Sequence, residues 1–265
     1  MRPVKSIAYL SSKVTLPGSP TRRPDAFEHD RMMAALRPPF AAKGLQLVDV
    51  DWADPSQDWG HYDGVIIGTT WDYWDHKTAF LTTLDAIEAA TRLFNPAALV
   101  AWNAHKGYLR DLEARGARLI PTAWIDTVDA AAAARSFDAL GSDDLVFKRQ
   151  VGAGAAGQYR LQRGEPVPAM PHAMMVQPFL ATIQSEGEYS FIFIDGALSH
   201  ALIKRAKPGD YRIQSAYGGV EEAMTPAADD LAAAQAVLAT LDAVPLYARV
   251  DMVRGEAGGL LLMEL

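Results

Sequence analysis

Short apolar runs alternate with longer segments of helical spacing along the first third of the chain. Three runs have the length of strands and two segments that of helices: Ile7 to Leu10, Leu45 to Val50 and Gly64 to Gly68, then Arg31 to Lys43 and Thr78 to Thr91. Strands and helices that alternate in this way are typical of a parallel sheet covered by helices. The pattern predicts a βαβ domain that ends near Pro96, where Asn95-Pro96 breaks the last helix.

Beyond Pro96, turns join some of the predicted strands directly, and Asp195-Gly196 in particular favours a tight hairpin. The predicted helices and strands are Lys106 to Arg115, the alanine-rich segment 130–134 and Pro226 to Leu241, then Pro121 to Ile125, Leu145 to Lys148, Met174 to Leu180, Ser190 to Ile194, Ala197 to Ile203, Tyr247 to Val253 and Leu260 to Leu265. The fold class is therefore α/β with α+β character. We predict domains at 1–96, 97–180 and 181–265.

Composition narrows the classes of function. The 265 residues include no cysteine, which excludes disulfides, thiolate zinc ligands and a thiol nucleophile and favours the cytoplasm. A net charge of −7 with dispersed Lys and Arg gives little support to nucleic-acid binding, and no apolar run approaches the ~20 residues that cross a membrane. The six histidines lack metal-type spacing, so most are predicted to be surface or satisfied core residues. We expect a cytoplasmic protein with a small-molecule substrate, and a homodimer is the commonest assembly.

A glycine-rich segment follows the predicted strand that ends at Lys148. Gly152, Gly154 and Gly157 let backbone N–H groups turn toward phosphate oxygens, which the lysine ammonium group can neutralise. The segment lacks the Gly-Lys-Ser/Thr of a Walker loop, and a strand is favoured after it, whereas a helix follows a dinucleotide fingerprint. From these residues alone, a phosphate-binding loop and a flexible hairpin loop are both open.

Two carboxylates are predicted to lie on one face of the last two strands. Arg249 and Asp251 are two residues apart and share a face of their strand, and Glu264 lies on the next strand. Adjacent antiparallel strands bring such oxygen ligands together, where they can hold Mg²⁺ against nucleotide phosphates. A structural salt bridge is the alternative.

Other segments offer contacts for a nucleotide and an anionic substrate. The strand Met174 to Leu180 ends at a proline-stiffened connection that can present backbone groups to adenine, and Glu186 or Glu188 can accept hydrogen bonds from ribose. Four cations can form a collar around a triphosphate: Lys204, Arg205, Lys207 and Arg212. A buried strand followed by solvated loops is the alternative.

The order of these motifs resembles that of the ATP-grasp superfamily, which includes D-alanine:D-alanine ligase, glutathione synthetase and the ribosomal-protein glutamate ligase. The resemblance runs from about Asn95 to the last residue, and the ordered set is more specific than any single motif. It implies an ATP-grasp fold, in which an N-terminal Rossmann-like βαβ domain precedes two lobes that clasp ATP. It also implies ATP and Mg²⁺ as cofactors.

The resemblance implies a role for each matching residue. Lys106 and Lys148 would contact the nucleotide phosphates, and the loop from Gly152 to Gly157 would close over them. The other implied contacts are Gln177, Phe179 and Leu180 around adenine, Glu188 or its neighbour Glu186 on ribose, Asp251 and Glu264 on the metal, Arg249 on the acyl phosphate, and Lys204 with Arg205 as further catalytic cations. The family's third metal ligand lies two residues after the second, so we expect the metal site either to be incomplete within this sequence or to need a longer chain.

Within the superfamily, the segments Gly68 to Trp74 and Ser199 to Arg205 are most similar to the cycloserine synthetase group, whose members close a ring by intramolecular acylation. The resemblance implies an ATP-dependent carboxylate–amine ligase that acts through an acyl phosphate on an amino-acid-like substrate, with ring closure as one form. A kinase-like enzyme that stops at the phosphorylated product and a non-catalytic nucleotide-binding module are the alternatives.

Overall fold

The alternating pattern at the start of the chain folds into parallel strands joined by helices. Its elements are β1 (Lys5–Ser11), α1 (Phe27–Ala42), β2 (Leu45–Asp51), β3 (Gly64–Ile67), α2 (Lys77–Ala90), β4 (Leu93–Phe94) and α3 (Ala97–Asn103). The computed structural model describes residues 5–213 and 217–265. The strands form one sheet in the order β2-β1-β3-β4, and each neighbouring pair is parallel. The predicted parallel sheet is confirmed.

Helix α2 shows why this unit follows its hydrophobic pattern. Phe80, Leu84 and Ile87 recur at helical spacing and are buried, and they share one core with Leu10 of β1 and Val65 of β3. Full burial of such a side chain contributes about 1.5–3 kcal/mol. One face of the helix is therefore held on the sheet.

Two elements near Pro96 were not predicted. Strand β4 has only two residues, too few to show a periodic pattern. Helix α3 begins directly after Pro96, which serves as its N-cap, while Asn95 adopts a left-handed φ of 61°. Proline is well tolerated at a helix start. The prediction that Asn95-Pro96 breaks the preceding helix is wrong, since α2 ends at Ala90 and β4 follows it, and the pair instead precedes α3.

The remainder of the chain contains two antiparallel sheets. Its elements are α4 (Tyr108–Ala114), β5 (Ala123–Ile125), α5 (Ala130–Leu140), β6 (Asp144–Arg149), β7 (Tyr159–Gln162), β8 (Met174–Pro178), α6 (Thr182–Ser185), β9 (Glu188–Ile194), β10 (Ala197–Arg205), β11 (Val220–Met224), α7 (Ala228–Leu238), β12 (Tyr247–Arg254) and β13 (Leu260–Glu264). The sheet orders are β5-β8-β6-β7 and β11-β10-β9-β12-β13. No helix within residues 5–213 and 217–265 is long and apolar enough to cross a membrane.

The chain divides into two compact units, Met1–Ala104 and His105–Leu265. The predicted boundary near Pro96 lies one short helix before this division. The predicted boundary near Leu180 lies inside the second unit, between its two sheets. The division into three domains stays a prediction.

The hairpin between β9 and β10 is confirmed. Asp195 and Gly196 have φ angles of 49° and 75°, the left-handed pair that a tight two-residue turn requires. Strand β11 at the sheet edge was missed, because four of its five residues are exposed and give no alternating apolar pattern. The hairpin fixes the pairing that carries Lys204 toward β9.

Candidate active site

A cleft in the second unit opens between its two sheets. Strands β6 and β8 of one sheet line it together with β9, β12 and β13 of the other. The predicted site residues that line this cleft are Lys106, Lys148, Gly152, Gly154, Gln177, Phe179, Leu180, Glu188 and Glu264. Residues that are distant in sequence therefore meet at one site.

Lys148 lies in the wall of the cleft at the end of β6. Its Nζ atom donates a hydrogen bond to Oε1 of Gln177 at 2.9 Å. Burial lowers the pKa of Lys148 to about 8, although the nearby Glu264 carboxylate opposes the shift. A desolvated cation that lacks a carboxylate in direct contact is suited to bind an anionic ligand.

Lys106 connects the glycine-rich loop to the last strand. Its Nζ atom donates hydrogen bonds to the Gly152 carbonyl oxygen, at 3.0 Å, and to the Glu264 carboxylate. Its backbone N–H donates to the Gln150 carbonyl oxygen at 2.8 Å. The second predicted phosphate-binding lysine is therefore held beside both the loop and a predicted metal ligand.

The glycine-rich loop has the backbone that its sequence requires. Gly154 and Gly157 have φ angles of 64° and 65°, a region that glycine adopts at little cost, and the non-glycine residue Ala155 has a φ of 57°. Strand β7 follows the loop and pairs with β6 in an antiparallel hairpin. The prediction of a strand after the loop is confirmed, and a dinucleotide fingerprint is excluded at this position.

An ionic cluster lies behind Glu188 on the second sheet. Lys204 donates to Oε1 of Glu188 at 3.1 Å, and its Nζ lies 3.7 Å from Oδ1 of Asp251. Arg249 donates to both oxygens of Asp251 at 2.8–3.0 Å, and the Ser190 hydroxyl donates to the same carboxylate at 2.5 Å. Burial and the neighbouring Asp251 carboxylate raise the pKa of Glu188 above its usual range. The cluster holds two cations and two carboxyl groups at fixed positions beside the cleft.

The two predicted metal ligands are neighbours across adjacent strands. Asp251 of β12 and Glu264 of β13 are register partners on adjacent antiparallel strands, and a β-bulge between Asp251 and Met252 sets this register. Carboxylate oxygens are the ligands that Mg²⁺ prefers, and one or two of them commonly hold it together with phosphates and water. No group of three His, Asp or Glu side chains in the described ranges 5–213 and 217–265 is arranged as a metal site. Each of the two carboxylates is paired with a cation of the site, Asp251 with Arg249 and Glu264 with Lys106.

Aromatic and apolar side chains line the other end of the cleft. Phe179 and Leu180 follow β8, and Tyr211 packs edge-on against the Phe179 ring at a centroid distance of 5.8 Å. The Arg160 guanidinium stacks on Phe179 at 3.4 Å and is paired with Asp144. Neither Tyr211 nor Arg160 was predicted as a site residue, because neither belongs to a motif and each contacts Phe179 only through the fold.

Two predicted site residues, Arg205 and Glu186, lie outside the cleft wall, its glycine-rich loop and the ionic cluster beside it. The wall also lacks Gly157, Lys204, Arg249 and Asp251, but these belong to that loop or that cluster. Arg205 follows Lys204 on β10, and successive strand residues point to opposite faces. It is exposed and paired with Glu222 of β11. Glu186 accepts hydrogen bonds from Arg254, at 2.8 Å, and Tyr189, at 2.7 Å. The structure therefore brings Lys204 and Glu188 to the site but not these neighbours.

The N-terminal unit contains a buried polar network at the ends of its parallel strands. His29 is 1% exposed, and its ring nitrogens bond to the Thr69 hydroxyl at 2.7 Å and to Asp49 at 2.8 Å. Ser11 donates to the other oxygen of Asp49 at 2.5 Å. His29 is thus a satisfied core residue, as predicted for most histidines. The Thr69 hydroxyl is therefore hydrogen-bonded within the N-terminal unit.

Comparison with known proteins gives matches in both units. Residues 7–95 match the family described as the N-terminal domain of D-cycloserine synthetase DcsG. The cycloserine biosynthesis protein DcsG of Streptomyces lavendulae is 32% identical over 242 residues, which span 84% of this chain and 81% of that protein.

Solved structures agree with this assignment. The crystal structure of D-cycloserine synthetase DcsG has a TM-score of 0.84 and 28% identity, and the match covers 98% of this chain and 90% of that one. The ATP-grasp ligase PsnB, solved with a phosphomimetic precursor variant, Mg and ADP, has a TM-score of 0.64 and 16% identity, with 99% and 90% coverage. The second likeness shows the ATP-grasp fold. The chain therefore belongs to the DcsG family of ATP-grasp enzymes, and it is a ligase that uses ATP to join a carboxylate to an amine.

Proposed function

We propose that this ligase binds Mg·ATP in the cleft of its second unit and closes a ring within an amino-acid-like substrate. Ring closure is proposed because 84% of the chain matches a protein named for cycloserine biosynthesis. The cleft supports the nucleotide part, because two lysines and the glycine-rich loop line it together with Glu264, the register partner of Asp251. Cations and turned backbone N–H groups are what a polyphosphate needs.

The residues of the cleft act by positioning and by neutralising charge, which are the main requirements of phosphoryl transfer. Lys106 and Lys148 would hold the phosphate oxygens, and the loop from Gly152 to Gly157 would cover them and exclude water. Asp251 and Glu264 would hold Mg²⁺, which supplies charge neutralisation between phosphate oxygens when it is bound. Arg249, which Asp251 holds at 2.8–3.0 Å, would steady the reacting carboxyl group.

The chemistry proceeds in two steps. A carboxylate oxygen of the substrate attacks the γ-phosphorus, and the bond to ADP breaks to give an acyl phosphate. A nitrogen of the same molecule then attacks the acyl carbon, phosphate leaves with the former carboxylate oxygen, and the nitrogen loses a proton. The net products are ADP, phosphate and a cyclic amide.

The test uses purified enzyme, Mg·ATP and an amino acid that carries an O-linked amino group within reach of its own carboxylate. We expect ADP and phosphate in equal amounts and a product that is lighter than the substrate by one water. Added hydroxylamine should divert the acyl phosphate to a hydroxamate. Products formed only with a second amine molecule would contradict ring closure, and ADP with neither amide nor hydroxamate would indicate the kinase-like alternative.

Nucleotide binding is expected to take up protons near pH 8.5. The pKa of Lys148 is lowered to about 8 by burial, so this lysine is charged below that pH and becomes neutral as the pH rises through it. Bound phosphates would raise the pKa again, so binding above about pH 8 requires protonation, and the affinity should fall as the pH increases. Calorimetry in buffers of different ionisation enthalpy would detect the uptake at pH 8.5 and little at pH 6.5. Lys148→Met should abolish it, whereas equal enthalpies in all buffers would contradict the role of Lys148.

A further inference from the structure

Arg149 lies directly beneath the glycine-rich loop. It ends β6, lines the cleft and follows Lys148 in the chain. A Cβ atom added to Gly157 would lie 2.9 Å from Cδ of Arg149, and one added to Gly152 would lie 3.6 Å from its Nε. The side chain of Arg149 therefore packs against the loop at both glycines.

One nitrogen of this guanidinium group is buried without an acceptor. Nε of Arg149 is the buried side-chain atom that lacks a hydrogen-bond partner within residues 5–213 and 217–265. Other arginines of the same region are paired: Arg160 with Asp144, Arg212 with Asp210 and Arg249 with Asp251. A buried donor on a charged group that stays unpaired is unfavourable, so an acceptor from outside the chain would stabilise this arrangement.

We propose that Arg149 binds the phosphate chain of the nucleotide and holds the glycine-rich loop over it. This inference rests on the proposed Mg·ATP site. A planar guanidinium group forms paired, charge-assisted hydrogen bonds with phosphate oxygens, and the loop against which Arg149 packs faces the same cleft as Lys106 and Lys148. The phosphate oxygens thus supply the acceptor that the described residues do not.

The experiment compares the affinities of the full chain for Mg·ATP, Mg·ADP and adenosine. Arg149→Gln should lower the affinities for Mg·ATP and Mg·ADP by about 10- to 100-fold, because charge-assisted hydrogen bonds to phosphate are lost. The affinity for adenosine should stay within about twofold of the wild-type value. Arg149→Lys keeps the positive charge but lacks the planar guanidinium group, so it should lose less affinity for ATP than Arg149→Gln does. Arg163→Gln is the matched control, since Arg163 is half-exposed and paired with Asp138 and Asp143 away from the cleft. It should bind all three ligands like the wild type.

A second pair of variants tests the effect of displacing Arg149 while its charge is kept. Gly154 and Gly157 have φ angles of 64° and 65°, so alanine is equally strained at both, but only a Cβ at Gly157 meets Arg149. Gly157→Ala should therefore weaken ATP binding more than Gly154→Ala does. Three results would each overturn the assignment of Arg149 alone. They are equal losses of ATP affinity in Gly157→Ala and Gly154→Ala, a wild-type ATP affinity in Arg149→Gln, and an Arg149→Gln variant that loses as much affinity for adenosine as for ATP. A wild-type enzyme that binds no Mg·ATP would overturn the proposed nucleotide site as well.

Discussion

Replacing Lys148 with methionine is expected to weaken Mg·ATP binding by about 100-fold and to leave the fold intact. The ammonium group is lost from the phosphate end of the cleft, where each charge-assisted contact contributes about 1.5–3 kcal/mol. The stability of the free protein should change little. Burial lowers the pKa of Lys148 to about 8 from 10.5, so its charged form is disfavoured in the folded state by about 3 kcal/mol at neutral pH. Methionine removes that penalty but leaves Oε1 of Gln177 without its donor, which costs about 1–3 kcal/mol.

The measurement pairs nucleotide titration with thermal unfolding, both at pH 7 and at about pH 9.5. Burial of charged Lys148 lowers the free energy of unfolding below pH 8, and this effect is lost as the pH rises toward 10.5. Any increase in stability caused by Lys148→Met should therefore be smaller at about pH 9.5 than at pH 7. Lys43→Met, at an exposed residue after α1, is the control for loss of one positive charge. An unchanged ATP affinity in Lys148→Met would remove Lys148 from the site.

Sequence patterns predicted the parts of the site that depend on one element or on two adjacent strands. A strand that ends at Lys148 and runs into glycines needs only local conformation. The pairing of the last two strands needs only a short turn, although the register of Asp251 with Glu264 also depends on a β-bulge between Asp251 and Met252. The N-terminal sheet could also be predicted from the sequence, because its longer strands are short apolar runs and α-helices follow β1 and β3.

Contacts that depend on the order of the strands could not be predicted. Lys204 meets Glu188 because β10 pairs with β9, and Asp251 meets Ser190 because β12 pairs with the other side of β9. A sequence shows which residues alternate along a strand but not which strands are neighbours. Arg205 illustrates the difference, since it is a cation like Lys204 yet lies on the opposite face.

Loss of either Asp251 or Glu264 is expected to reduce Mg²⁺-dependent ADP formation by at least about 100-fold, and the double substitution should lose little more. Two ligands of one ion act as a unit, so removal of one already disrupts the positioning of the phosphates. The variants are Asp251→Asn, Glu264→Gln and the double mutant, each assayed over a range of Mg²⁺ concentrations. A higher Mg²⁺ requirement in both single variants should accompany the loss.

The surroundings of the two carboxylates separate a metal role from a structural one. Asp251 is buried and pairs with Arg249, so Asp251→Asn also leaves a cation poorly compensated and should lower the melting temperature without ligands. Glu264 is about two-fifths exposed, with a side-chain exposure of 41%, so Glu264→Gln should change that temperature much less. Ser190→Ala removes a hydrogen bond to Asp251 but keeps the carboxylate, and it tests how far loss of stability alone lowers the activity. If the two single losses multiply in the double mutant, or if Glu264→Gln keeps full activity at every Mg²⁺ concentration, the carboxylates do not share one ion.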